Sequence, residues 1–83
     1  MKIIELDGRL LQRTAEGNAY IKQMLGFPDY YGKNLDALHD QLTELGRTVE
    51  IHIVYCDEMD KGVKRVFMDA SNENNNLNII LTK

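Results

Sequence analysis

Apolar positions recur along this 83-residue chain with a period of two in some stretches and near 3.6 in others, and the switches between them mark its elements. Lys2-Ile3-Ile4-Glu5-Leu6 reads as a short strand, closed by the turn pair Asp7-Gly8. Thr14 is a candidate N-cap with Glu16 in the first turn, and a helix runs from there to about Leu25. Ile21, Met24 and Leu25 share one of its faces, Gly17 weakens its start, and Gly26 stops it. A second helix opens at Asn34. Leu35, Leu38, Leu42 and Leu45 cluster on one side of it, Asp36, His39, Asp40 and Thr43 fall opposite, and Gly46 ends it. Val49 to Tyr55 alternates and then turns apolar throughout, as a strand does, with His52 on its polar side as a surface or edge-strand histidine. Asp57 can cap a third helix, with Asp60 three residues later. Met59, Val63, Val66, Phe67 and Ala70 form its core stripe, and Met68 falls off it toward solvent. Asn74-Asn75-Asn76 breaks this helix, because asparagine tolerates the left-handed conformation of helix ends. Leu77-Asn78-Ile79-Ile80-Leu81 is the last strand.

The order strand, helix, helix, strand, helix, strand predicts an α/β fold: a small three-stranded parallel sheet joined by right-handed crossovers, with helices packed on it. The length predicts a single domain over residues 1–83. There is no internal repeat, and no apolar run approaches the roughly 20 residues of a membrane span. Cys56 is alone at the end of an apolar run, which suits a buried, inert thiol and excludes a disulfide framework. With no secretory pattern at the start of the chain, a reducing cytoplasm is the expected location.

Thirteen acidic residues against ten basic ones give a net charge of −3. That argues against nucleic-acid binding, which needs a clustered basic surface, and is compatible with a basic partner. Asp36 and Asp40 stand four apart on the outer side of the second helix, and Asp69 and Glu73 four apart near the end of the third. Like charges at that spacing repel, and the second pair also faces the negative end of a helix dipole. Either these are solvated charged faces, or the cost is tolerated because a cation docks there. Tyr30 and Tyr31 precede the second helix on a loop that Gly32 lets turn sharply, and tyrosine there suits either a core or an interface. Asp36 and Asp40 are within reach of His39 and should favour its imidazolium form. Asp36, His39 and Asp40 have no second histidine or cysteine at a ligand spacing, so no metal is expected. Nothing pairs a nucleophile with a base or cradles a phosphate, so neither catalysis nor a cofactor is expected.

The stretch Pro28-Asp29-Tyr30-Tyr31-Gly32-Lys33-Asn34-Leu35-Asp36-Ala37-Leu38-His39-Asp40 closely resembles the signature of the barstar family, intracellular inhibitors of secreted barnase-type ribonucleases. The resemblance implies a barstar-like sheet with its first strand central. It also implies an additional short helix between the second strand and the last helix. Tyr55 to Phe67 is too short for both, so that element should be missing or reduced to a turn. The implied partner is a basic, secreted, barnase-like ribonuclease, with neither nucleic acid nor membrane bound. The inhibitor's carboxylates would take the place of RNA phosphates among catalytic arginine, lysine and histidine. Carried over by position, the contact residues are Tyr30, Tyr31, Gly32, Asn34, Leu35, Asp36, Ala37, His39, Asp40 and Thr43, with Asp69 and Glu73 on the last helix and Asp40 the central charge. The chain departs from the family at His39, commonly tryptophan, and at the asparagine-rich end of the last helix. The alternative is a barstar-like immunity or interaction module for a different nuclease toxin or protein partner.

Overall fold

The computed structural model describes residues 1–28, 32 and 34–83. Three strands, β1 (Lys2–Asp7), β2 (Val49–Val54) and β3 (Leu77–Leu81), form one parallel sheet. Three helices, α1 (Ala15–Leu25), α2 (Leu35–Thr43) and α3 (Lys61–Glu73), lie between them in the chain. The strand order is β1-β2-β3, so β2 is central, not the first strand as the family resemblance implies. Both crossovers therefore step across the sheet in the same direction, and right-handed connections then put every helix on one face.

Burial follows that geometry. In register, Lys2, Val49 and Leu77 form one row on the covered face, Ile4, Ile51 and Ile79 the next, and Leu6, Ile53 and Leu81 a third. Ile51, Ile53 and Leu6 have no exposed surface, and each such side chain contributes roughly 1.5–3 kcal/mol of burial. On the other face, Ile3 and Ile80 are exposed, and His52 lies between Glu5 and Ile80 in register while bonding to Glu50. His52 is thus a surface histidine, but of the central strand.

Each helix begins with a side-chain cap. Thr14 Oγ1 accepts from the Gly17 amide at 3.0 Å, Asn34 Oδ1 from Ala37 at 2.7 Å and Asp60 Oδ2 from Val63 at 2.9 Å. Gly17 is more than a weak spot in α1, because a Cβ there would run into the Gln12 carbonyl. Gly26 ends α1 with φ 67°, the left-handed conformation that glycine adopts without strain.

Asp60, not Asp57, caps α3. Asp57 lies in a single 3-10 turn, Cys56–Glu58, where the family's extra helix was expected to shrink or vanish. Cys56 and Met59 are buried on either side of the exposed pair Asp57 and Glu58, so the turn drops two side chains into the core. Met68 is half-buried at the edge of the α3 stripe. Helix α2 stops at Thr43, short of Gly46, and Leu45 leaves the helix yet still packs on the core.

Asn74 ends α3 in an extended conformation, φ −124° and ψ 106°, and not in the left-handed one. It is only 8 % exposed. Its side-chain amide donates to the Leu42 carbonyl at 2.9 Å and the Leu45 carbonyl at 3.1 Å, and its oxygen accepts from the Asn76 amide at 3.0 Å. One side chain thus ties the end of α2 to the turn that leads into β3. Asn74→Ala should cost about 1–3 kcal/mol in urea unfolding, because it removes a buried amide that bridges two carbonyls and leaves them only longer contacts. Asn75→Ala, at an exposed position, should stay within about 0.5 kcal/mol of wild type.

Candidate functional site

Helix α2 turns Leu38 and Leu42 fully inward, with Leu35 and Ala37 half-buried against the same core. At 100° per residue, Asp36 and Asp40 must then face out, and both are exposed. Asn34 spends its oxygen on the Ala37 amide and points its nitrogen at the Gly32 carbonyl at 3.4 Å, so it joins the preceding loop to the helix. The Thr43 hydroxyl donates back to the His39 and Asp40 carbonyls at 3.0 and 3.1 Å. Tyr30 and Tyr31 lie outside the described residues.

Helix α3 packs beside α2. This brings together groups that are far apart in the chain: His39 Nε2 meets Glu73 Oε2 at 2.5 Å across 34 residues. The hydrogen bond to Glu73 raises the His39 pKa above the ordinary imidazole value; desolvation opposes it, and the negative charges of Glu73, Asp40 and Asp69 add smaller upward contributions. Asp69 also stands 3.9 Å from Arg65, one turn back on α3, in a loose and largely solvated pair. Glu73 is thus in contact with the imidazole, while Asp40, next to it in the chain, and Asp69, one turn before Glu73 on α3, act on it through their charge.

The family described as "Barstar (barnase inhibitor)" matches residues 1–77. The chain belongs to the barstar family. A Bacillus subtilis protein named "Putative ribonuclease inhibitor YrdF" is 49 % identical to it over 43 residues, which cover 52 % of this chain and 47 % of that relative. The match thus spans about half the length of that relative.

Within this barstar-family fold the carried-over residues divide. The His39–Glu73 contact joins the α2 and α3 parts of the set, with Asp40 beside His39 in the chain and Asp69 one turn before Glu73. Asp36 is exposed one turn earlier on α2 and is not among the charges acting on His39, so the expected Asp36–His39 pairing gives way to Glu73. Leu35 opens α2, Asn34 caps it, and Gly32 lies in the loop before it. Among the described residues no cluster of three or more histidine, cysteine or acidic side chains is arranged to hold a metal. Asn74 and Arg65 were missed by the sequence reading. Arg65 could have been found from its four-residue spacing to Asp69. Asn74 could not, because its partners lie on another helix.

The His39–Glu73 pair makes stability depend on pH with a definite sign. The folded-state pKa of His39 is raised above its unfolded value. The pair's contribution is therefore complete below the unfolded imidazole pKa of about 6.5 and is lost as pH rises through the folded value. Thermal unfolding should find wild type more stable than Glu73→Gln near pH 6, with the gap narrowing toward about pH 9. A gap that widens with pH would contradict the assignment.

Proposed function

We propose that this protein is a non-enzymatic, intracellular inhibitor of a basic, barnase-like secreted ribonuclease, and that it blocks the active site with α2, the loop before it and the end of α3. The observation that carries the reading is the His39–Glu73 contact, which joins the exposed carboxylates of α2, Asp36 and Asp40, to those at the end of α3, Asp69 and Glu73, in a chain of a family described by barnase inhibition. A nuclease that handles RNA needs cations for phosphates, and carboxylates on a rigid helix can occupy the same places. Attraction between an acidic face and a basic cleft speeds encounter and weakens with salt. Asp40 is exposed and is the central charge that the family resemblance implies, so it is the carboxylate that would enter the cleft most fully. The single cysteine is buried, which agrees with life in a reducing compartment.

A second reading keeps the same face but gives it a different nuclease toxin or protein as partner. What favours it is His39, a histidine where the family motif commonly carries tryptophan. A panel of guanyl-preferring ribonucleases separates the two, since the first reading requires one-to-one inhibition of at least one of them.

Asp40→Ala should weaken inhibition by about 2–5 kcal/mol, the range known for truncating one member of a desolvated charge pair, in complexes of this family among others. Glu50→Ala, on the uncovered face of the sheet, should leave the inhibition constant nearly unchanged. Equal small effects at both positions would remove α2 from the interface. Asp69→Asn should lower the association rate at low ionic strength and leave dissociation almost untouched, as expected of a charge at the rim. Stopped-flow association at two salt concentrations measures this, and identical rates for the two proteins would put α3 outside the steering field.

A further inference from the structure

Glu73 has a partner before any other protein arrives. Its Oε2 lies 2.5 Å from His39 Nε2, while the carboxylate remains 58 % exposed and the imidazole 33 % exposed. The contact joins α2 to α3, so it is more than a local pairing along one helix. The charged groups that act on the imidazole are Glu73 in contact with it, Asp40 on its own helix and Asp69 on α3, and Asp69 has Arg65 at 3.9 Å. The two carboxylates on α3 are thus differently engaged. Glu73 is held by the ring, whereas Asp69, among the described residues, has a loose contact to Arg65 at 3.9 Å.

We propose that His39 sets the specificity of the acidic face by holding Glu73 on the chain's own imidazole, so that a basic partner meets Asp36, Asp40 and Asp69 directly and reaches Glu73 only by displacing the imidazole. This rests on reading that face as the inhibitory surface. It follows that the partner's cations are arranged around His39 and not over it. A lysine or arginine aimed at the ring would meet a positive charge, whereas a hydrogen-bond acceptor or an apolar group there would be accepted. A nuclease cleft with a cation at that spot would be discriminated against, although it matches the net charge of the inhibitor equally well. The face therefore fits a basic cleft with a neutral or electron-rich centre.

The test is a double-mutant cycle on the inhibitor, using wild type, His39→Ala, Glu73→Gln and the double variant. The probe is a barnase-type guanyl-preferring ribonuclease, assayed by inhibition constant at low salt near pH 6. Glu73→Gln should weaken inhibition less than about threefold with His39 present, and about tenfold or more in the His39→Ala background, where Glu73 is free to meet a cation. A cost of Glu73→Gln that is equal in the two backgrounds, or larger with His39 present, overturns the inference while leaving the inhibitory face intact. Absence of inhibition by all four proteins overturns the reading of the face, and the inference falls with it. Both substitutions lie at solvated positions, and matching urea unfolding curves identify variants that remain folded.

Discussion

At the C-terminal end of α2, the carbonyls of Leu42 and Leu45 both accept hydrogen bonds from one buried amide, that of Asn74. Carbonyls at a helix end have no partner within the helix, and buried ones need a donor from elsewhere. Asn74 supplies that donor from the end of α3 while its own oxygen turns the chain toward β3. The two helices are thereby fixed end against end. With Leu38 and Leu42 committed to the core, rotation of α2 about its axis is fixed as well. The outward direction of Asp36 and Asp40, and the approach of Glu73 to His39, follow from those constraints.

The arrangement concentrates like charge. Asp40, Asp69 and Glu73 act on one imidazole, in a molecule whose net charge is only −3. Carboxylates gathered in this way repel one another, and a protonated histidine among them relieves part of the repulsion. The uncovered sheet face handles acid differently: Glu50 bonds to His52 on the same strand, without a contribution from any helix. Near β1's end, Asp7 pairs with Arg9, whose guanidinium lies 4.1 Å over the Tyr55 ring. In those places acid and base lie two residues apart in sequence. Around His39 they come from helices separated by a whole strand.

Much of the fold was legible because it is written in local chemistry. Thr14 and Asn34 announced two helix starts by their capping oxygens, Gly26 announced a stop, and the alternation at Val49 to Val54 announced a strand. Local signals failed where two candidates competed. Asp57 and Asp60 are both good caps. The burial of both Cys56 and Met59 decided for Asp60, because it forces a tight turn between them and delays the helix. Gly46 looked like the end of α2, but the helix stops at Thr43, between the two residues, Leu42 and Leu45, whose carbonyls Asn74 engages.

The sequence by itself determined the elements, the parallel α/β class and the outer position of the α2 carboxylates, since helical period and capping act over a few residues. The thirteen residues from Pro28 to Asp40 also pointed to the family whose match covers residues 1–77. Only the tertiary structure decided that β2 is central, that Asn74 is a tie between helices, and that His39 chooses Glu73 over Asp36. Strand order depends on which way each crossover steps, and both directions leave the same pattern of apolar residues along the chain. The choice of Glu73 depends on how α2 and α3 slide past each other, which is set by the packing of their buried faces and not by the exposed residues whose pairing it decides.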